Sequence, residues 1–281
     1  MTRAPVAVIT GTTHGIGTAT SLGLARAGYR VVMLCRNVPA ATALAQKIVQ
    51  QLPGSEPQIM HCDLANLASV RAAALAVRER YPRIDRLVNN AGIVSTRRRF
   101  SVDGHELTFA TNHLGPFLLT RLLLPALAPE ARIINVSSKV HYRGHLDLDS
   151  IDNPRARYSS TAAYSRSKLA NVLDTFALAR RLAATGITVN CLHPGVVATN
   201  LLPGWLNLIR PLIRRSILTP EQGARTSLYL ALDERAGALQ GQYLDEQQQV
   251  RPAAAAAHDR RLQEQLLSRS ARWTGLDEAS A

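Results

Sequence analysis

The sequence is poor in cysteine and lysine, and it contains no long apolar stretch. Its 3 cysteines, Cys35, Cys62 and Cys191, stand far apart without a Cys-x-x-Cys spacing. This pattern predicts buried free thiols in a reducing compartment, and we predict no metal site. No uninterrupted apolar run reaches the roughly 18 residues of a spanning helix, and residues 1–10 lack the apolar core of a signal peptide. We therefore expect a cytoplasmic protein.

Acidic residues are also scarce, since 20 Asp and Glu stand against 33 Lys and Arg, which gives a net charge of +13. Such an excess invites a nucleic-acid partner. However, the lysines are only Lys47, Lys139 and Lys168, and the arginines are scattered apart from the short run 97–99. We therefore favour small anionic ligands over nucleic acid. The nucleic-acid alternative predicts an affinity that falls steeply with salt.

Short apolar runs alternate with helical patterns along the chain. Strands are predicted at 5–10, 30–35, 58–61, 87–90, 132–137, 187–192 and 242–245. Helices are predicted at 19–27, 39–52, 67–81 and 104–127, the last with a kink at Gly115-Pro116, and around Tyr164. The alternation predicts an α/β fold in a single domain over residues 1–281, a doubly wound, Rossmann-type parallel sheet with helices on both faces. We expect the charged last helix, within the tail 252–281, to be solvated.

A glycine-rich turn, Gly11-Thr-Thr-His-Gly15-Ile-Gly17, joins the first strand to the first helix. Gly11 permits a sharp turn. Gly15 and Gly17 let a pyrophosphate approach backbone N–H groups where the helix dipole favours negative charge. The context is that of a dinucleotide-binding turn, although the spacing differs from Gly-x-Gly-x-x-Gly. The alternative is a turn that serves packing alone.

Arg36 follows the second strand, 19 residues after Gly17. An NAD site normally has Asp or Glu near this place to bind the ribose 2′-hydroxyl. A guanidinium instead suits a 2′-phosphate, and no adjacent carboxylate repels it. His14, beside the glycine turn, offers a second donor. These residues predict NADP(H) in preference to NAD(H).

Tyr164 and Lys168 stand four residues apart at the start of a predicted helix. On a helix this spacing places them on one face, about 5–6 Å apart at Cβ. A nearby ammonium lowers the pKa of a phenol from about 10, which makes the phenol a usable general acid or base. Taken alone, such a pair is more often only a solvated helix face.

Several motifs occur in the order found in short-chain dehydrogenases/reductases, which the chain resembles from about residue 5 to 245. They are Thr10-Gly11-x-x-x-Gly15-Ile16-Gly17, Asp63-Leu64, Asn89-Asn90-Ala91-Gly92, Asn112, Ser138, Tyr164-x-x-x-Lys168 and Pro194-Gly195. Residues 35–37, 112–117, 135–138 and 164–171 resemble the retinol dehydrogenase-like branch of that family.

The resemblance implies a role for each matched residue. Tyr164 would protonate the carbonyl oxygen during reduction, and Lys168 would hold the nicotinamide ribose and lower the pKa of Tyr164. Ser138, rather than Ser137, would hydrogen-bond the substrate oxygen. Asn112 would shape the long helix and support a water path to Lys168. The cofactor-binding residues would be Gly11, Thr13, His14, Gly15, Ile16, Gly17, Arg36, Asn37, Asp63, Leu64, Asn90, Ala91, Gly92, Tyr164, Lys168, Val197 and Thr199.

Three of these residues have plainer alternatives. Asn112 would merely satisfy a helix interruption, Asp63 would cap the next helix, and Thr199 would be a turn residue.

Two segments depart from the common family pattern. The stretch between Ser138 and Tyr164 is longer than in many members, and its part 144–160 resembles an insertion of the retinol dehydrogenase-like branch. It lies next to the helix through which many relatives form tetramers, so a monomer or dimer is expected in preference to a tetramer. The segment 201–215 would be an apolar substrate lid, which implies a hydrophobic substrate. With Trp205 and three arginines it would alternatively also make peripheral contact with a membrane.

These features together predict an oxidoreductase that transfers hydride between NADP(H) and a small hydrophobic alcohol or carbonyl compound. The alternative is a non-catalytic, NADP-sensing regulator on the same fold.

Overall fold

The described part of the chain builds an eight-stranded sheet. The computed structural model describes residues 3–153, 155, 157–197 and 218–277. The strands are β1 (Val6–Thr10), β2 (Arg30–Cys35), β3 (Gln58–His61), β4 (Ile84–Asn89), β5 (Leu127–Val136), β6 (Thr188–Leu192), β7 (Tyr243–Leu244) and β8 (Val250–Arg251). Their order is β3-β2-β1-β4-β5-β6-β7-β8, and all neighbours are parallel except β7 and β8. The predicted doubly wound parallel sheet is confirmed, whereas β8 was not predicted.

β1 shows why these strands are continuous apolar runs. All of its residues are buried, and successive side chains point to opposite faces of the sheet. Val6 and Val8 belong to one core cluster, and Ala7 and Ile9 belong to another. Because helices cover both faces, the four consecutive positions 6–9 all carry apolar side chains.

Helices form the two outer layers. They are α1 (Gly15–Arg26), α2 (Val38–Gln51), α3 (Leu67–Arg80), α4 (Leu107–Phe109), α5 (Gly115–Leu123), α6 (Ser160–Arg181), α7 (Pro220–Leu232) and α8 (Arg260–Thr274). Side chains of α1, α2 and α7 pack in one core cluster, and those of α3, α5 and α6 pack in the other. Within the described ranges, no helix has both the length and the apolar character needed to cross a membrane.

The predicted helix over 104–127 is wrong in its extent and in the place of its irregularity. A π-helical turn, Ala110–Leu114, joins α4 to α5, and a 3₁₀ turn then leads directly into β5. Pro116 has no N–H to donate to the carbonyl of Asn112, so the hydrogen-bond ladder changes before the proline. Gly115 has a separate role, because a Cβ there would lie 2.3 Å from the carbonyl oxygen of Leu64.

The expectation of a solvated C-terminal tail is wrong for residues 253–277. Leu266, Leu267 and Ala271 of α8 are at most 1% exposed. Leu267 and Ala271 pack with Phe117 of α5 and Ala177 of α6. These apolar positions recur with helical spacing, while most of the charged residues of α8 face solvent. The helix therefore completes the core over the outer faces of α5 and α6.

Candidate active site

The predicted site residues lie at one edge of the sheet. Residues 11–17, 36–37, 63–64, 90–92, 138 and 193–197 follow the carboxyl ends of β1, β2, β3, β4, β5 and β6. In the strand order, β1 lies between β2 and β4, so the chain leaves β1 towards one side of the sheet and later crosses to the other. A crevice forms outside the carboxyl ends of the strands at such a switch point, and ligands of open α/β sheets bind there.

Asn90 locks the glycine turn onto the end of β4. Its side-chain nitrogen donates to the carbonyl oxygens of Thr10 and Gly11 at 2.9 and 3.0 Å. Gly11 has φ +69°, and a Cβ there would lie 2.7 Å from Cα of Ala91. A Cβ on Gly17 would lie 2.1 Å from the carbonyl oxygen of Gly11. Packing alone therefore requires Gly11 and Gly17, whatever else the turn binds.

The N-terminus of α1 faces the crevice without a side-chain cap. The helix begins at Gly15, earlier than predicted, and His14 at the N-cap position makes no capping hydrogen bond. The first turn contains no acidic residue. The His14 ring pairs instead with Thr13 Oγ1 at 3.0 Å. Free N–H groups at the positive end of a helix dipole suit a phosphate, so this turn fits the pyrophosphate of a dinucleotide.

Arg36 is exposed at the carboxyl end of β2. Among the described residues it has no hydrogen-bond or ion-pair partner, so its guanidinium is available to a ligand. Its neighbour Asn37 has a structural role, because its side-chain oxygen accepts a hydrogen bond from Ala40 N at 3.1 Å and caps α2.

Asp63 and Leu64 follow β3. Asp63 Oδ1 accepts from Ala65 N at 3.0 Å, while Asn66 caps α3, so Asp63 is not the cap of that helix. Leu64 is buried beside Gly115. The pair therefore forms a tight turn at the same edge of the sheet.

Asn112 lies in the π-helical turn and is fully buried. Its oxygen accepts from Ile93 N at 2.8 Å, and its nitrogen donates to Ile93 O and to Ser167 Oγ, both at 3.0 Å. A Cβ on Gly92 would lie 3.3 Å from Lys168 Nζ and 3.6 Å from Asn112 Oδ1. Asn112 thus joins the loop after β4 to α6, beside the lysine.

Ser138, Tyr164 and Lys168 come together where β5 ends against α6. The side chains of Ser138 and Tyr164 lie close enough for the serine to lower the pKa of the tyrosine. Lys168 Nζ lies 5.6 Å from the centroid of the Tyr164 ring and donates to Val136 O at 2.9 Å. Ser137 points away from the crevice, and its hydroxyl donates to Lys168 O at 2.9 Å.

Comparison with known proteins identifies the family. The family model for short chain dehydrogenases matches residues 5–206. This chain belongs to the short-chain dehydrogenase family.

The curated relatives of this dehydrogenase include enzymes named for lipophilic alcohols. Human retinol dehydrogenase 13 is 39% identical, over 97% of this chain and 85% of the relative. Human dehydrogenase/reductase SDR family member 13 is 43% identical, over 98% and 74%. Human polyprenol dehydrogenase is 36% identical, over 96% and 85%. The chain is thus an oxidoreductase-family protein related to retinol and polyprenol dehydrogenases.

Solved structures share the fold. An uncharacterised protein from Mycobacterium paratuberculosis has a TM-score of 0.80 at 32% identity, over 98% of this chain and 96% of that one. A metagenomic blue fluorescent protein in complex with NADPH has a TM-score of 0.71 at 28% identity, over 86% and 95%. A 3-ketoacyl-(acyl-carrier-protein) reductase from Brucella melitensis, complexed with NADH, has a TM-score of 0.67 at 28% identity, over 86% and 96%. Both nicotinamide cofactors therefore occur among its structural neighbours.

The electrostatics of the dehydrogenase site differ from the sequence-based expectation. Burial raises the pKa of Tyr164 to about 12, and the neighbouring Ser138 side chain offsets this only in part. Burial lowers the pKa of Lys168 to about 8. The expected lowering of the tyrosine pKa by Lys168 is not met here: Lys168 is not among the groups that shift that pKa, and its amine donates to the Val136 carbonyl.

Of the remaining predicted residues, the structure describes some and not others. Val197 is buried and forms a parallel bridge with Leu218. Thr199 and the predicted lid 201–215 lie outside the described residues. The three cysteines are free and buried, as predicted. In the described ranges, no three His, Cys, Asp or Glu side chains are grouped to hold a metal ion.

A buried polar network under the site was missed from the sequence. Asn89 Nδ2 donates to Asn135 Oδ1 and to Thr120 Oγ1, and Asn135 Nδ2 donates to Thr175 Oγ1, all at 2.9 Å. Asn89 and Asn135 are each 7% exposed. The signal was an asparagine next to the short apolar run at the carboxyl end of each of two strands, since a buried amide needs partners.

Proposed function

We propose that this dehydrogenase transfers hydride between NADP(H) and a lipophilic alcohol or carbonyl compound, with Tyr164 as the general acid and base. The observation that carries the proposal is the grouping of the Ser138 and Tyr164 side chains beside Lys168, at the carboxyl edge of the sheet. Two hydroxyl donors at the edge of a dinucleotide-binding crevice are what a carbonyl oxygen needs as negative charge develops on it.

Each residue of the pair has a distinct task. When bound, the nicotinamide cofactor supplies or accepts the hydride. Ser138 donates a hydrogen bond to the substrate oxygen, and Tyr164 transfers a proton to that oxygen during reduction. A tyrosine with a raised pKa stays protonated at neutral pH, which suits the donating direction. In the oxidising direction Tyr164 must lose its proton, and a protonated Lys168 favours that loss.

Arg36 and the uncapped helix α1 support the choice of NADP(H). The exposed guanidinium of Arg36 lies without a partner among the described residues, directly after β2, the strand next to β1. A bidentate cation at this place suits a phosphate ester better than a ribose hydroxyl. Asn90, Ala91 and Gly92 would hold the adenosine ribose, and Asp63 and Leu64 would flank the adenine.

The names of the relatives support a lipophilic substrate. Retinol and polyprenol, in the names of two relatives, are long apolar alcohols. We extend that class, and neither compound in particular, to this chain. Contact of residues 201–215 with a membrane surface remains an alternative addition to the same function.

The position of α8 supports a monomer or dimer. It covers the outer faces of α5 and α6 with Leu267 and Ala271. A face already buried within the chain is not free to bind a second copy.

A screen of NADPH oxidation tests the proposal. Purified protein is mixed with NADPH and hydrophobic aldehydes or ketones of increasing chain length, and absorbance is followed at the reduced-nicotinamide band. We expect turnover, and we expect Tyr164→Phe to lose it while NADPH binding by fluorescence is unchanged. NADPH binding without turnover of any substrate would instead favour the regulator.

A further inference from the structure

His141 links the catalytic serine to the C-terminal part of the chain. It lies in the 3₁₀ turn Lys139–Arg143 that begins directly after Ser138, and it is fully buried. Its Nδ1 lies 2.8 Å from Ser138 O, and its backbone N–H donates to the same oxygen at 3.0 Å. On the other side of the ring, Ala254 N donates to Nε2 at 3.2 Å.

These two contacts define one protonation state. A carbonyl oxygen only accepts, so Nδ1 must carry the proton that bonds to Ser138 O. A backbone N–H only donates, so Nε2 must be the unprotonated acceptor for Ala254. The ring is therefore neutral with its proton on Nδ1, and a second proton would place two donors face to face. Burial lowers the pKa of His141 and so favours the same state.

The bond to Ser138 O bears on the position of the catalytic hydroxyl. The Ser138 side chain has a weak local restraint, since its Oγ accepts from Val140 N at 3.4 Å. Its backbone is held much better, by the two donors from His141 on one carbonyl oxygen. Misplacing a reacting group by about 1 Å can reduce a rate by about a hundredfold, so this restraint matters for turnover.

We propose that His141 is a positioning residue for Ser138, acting as a neutral bridge from the Ser138 carbonyl to the C-terminal segment at Ala254. The proposal rests on the proposed function only for its effect on turnover. The bridge makes residues 252–258 part of the support of the active site. Tyr142 adds a second tie, because its hydroxyl donates to Pro252 O.

A simpler role for His141 is to fill the core with an aromatic ring. Its ring lies 4.1 Å from that of Tyr142 and 4.6 Å from that of Tyr243, between centroids. Filling alone predicts that substitutions act through stability, and that the identity of the remaining polar atom is unimportant. Positioning predicts that a donor near the place of Nδ1 is what matters.

Two amide variants separate these roles. In His141→Asn the amide nitrogen can take the place of Nδ1 and donate to Ser138 O. In His141→Gln the longer side chain brings its amide to the place of Nε2, where it can accept from Ala254 but not serve Ser138. Both variants are neutral and polar, and both lose the ring.

The measurements are kcat, KM and NADPH affinity with decanal as the aldehyde, together with thermal stability. We expect His141→Gln to lower kcat by about tenfold or more with unchanged NADPH affinity, and His141→Asn to retain kcat within about threefold. Equal kcat in the two variants, or kcat that follows stability alone, would overturn the proposal.

The hydrogen bonds of His141 can also be tested by measurements that need no enzymatic turnover, in case the wild-type protein reduces no aldehyde. Imidazole ¹⁵N shifts of the wild-type protein should show His141 protonated on Nδ1 and free of a proton on Nε2. Hydrogen exchange at residues 139–144 should be faster in His141→Gln than in His141→Asn. A proton on Nε2, or equal exchange in both variants, refutes the bridge, whereas absence of turnover alone refutes only the proposed function.

Discussion

Under the proposed function, Arg36 binds the 2′-phosphate of NADP(H), and replacing it by alanine should remove the proposed preference for that cofactor. The guanidinium is exposed at the carboxyl end of β2. A hydrogen bond to a charged group contributes about 1.5–3 kcal/mol, and solvent screening at an exposed site favours the lower half of that range. A loss of about 1.5–2 kcal/mol corresponds to about a 10- to 30-fold weaker Kd for NADPH. NADH has no 2′-phosphate, so its Kd should change little.

The assay is titration of each reduced cofactor by intrinsic or nicotinamide fluorescence, at two salt concentrations. The NADPH affinity of the wild type should fall more steeply with salt than that of Arg36→Ala, because the contact is ionic. Arg30→Ala is the matched control. Arg30 lies at the amino end of the same strand, where it pairs with Glu56 at 2.8 Å. That variant makes the same change in net charge at the opposite edge of the sheet.

Parallel loss of NADPH and NADH binding in Arg36→Ala would refute the reasoning, since it would show damage to the common part of the site. An unchanged NADPH affinity would refute it as well. If Arg30→Ala had the same effect as Arg36→Ala, the cause would be net charge and not a contact with the 2′-phosphate.

Two further predictions concern stability. Burial lowers the pKa of His113 and of His193 to about 4, so the unfolded chain binds their protons first as the pH falls. The free energy of unfolding should therefore decrease between pH 6.5 and 4, by roughly 2 kcal/mol per histidine at pH 5. Denaturant titrations across this range should show a shallower decrease for His113→Asn, and an identical decrease would count against the assignment. Separately, Leu267→Ala in α8 should lower the free energy of unfolding by about 2–5 kcal/mol, because the side chain is 1% exposed. The exposed Gln265→Ala serves as its control, and equal effects of the two in denaturant melts would favour a solvated tail.

The fold was predictable because its strongest signals are local. Every predicted strand overlaps an observed one, and β2 and β3 agree residue for residue. Each apolar run is short, ends in a turn motif and alternates with a helix, which is sufficient to indicate a parallel sheet. α8 was misjudged because its charge and its preceding alanines dominate its composition. Its buried stripe of Leu266, Leu267 and Ala271 becomes visible only when those residues are placed on a helix.

For the site, the sequence predicted which side chains come together but not how they are oriented. Spacing along a helix brings Tyr164 near Lys168, and strand order brings Ser138 near both. The direction of the Lys168 amine follows from neither rule, because its partner is the carbonyl of Val136, which lies on β5, 32 residues away. The same holds for Ser138. Its carbonyl oxygen is bound by the His141 ring, and Ala254, 113 residues after His141, fixes the tautomer of that ring. Sequence motifs therefore indicate which side chains meet. The backbone groups that orient these side chains belong to distant segments, and a backbone group is the same whatever the residue type, so no motif reveals it. It follows that the most informative substitutions for this site are at residues outside its motifs, such as His141.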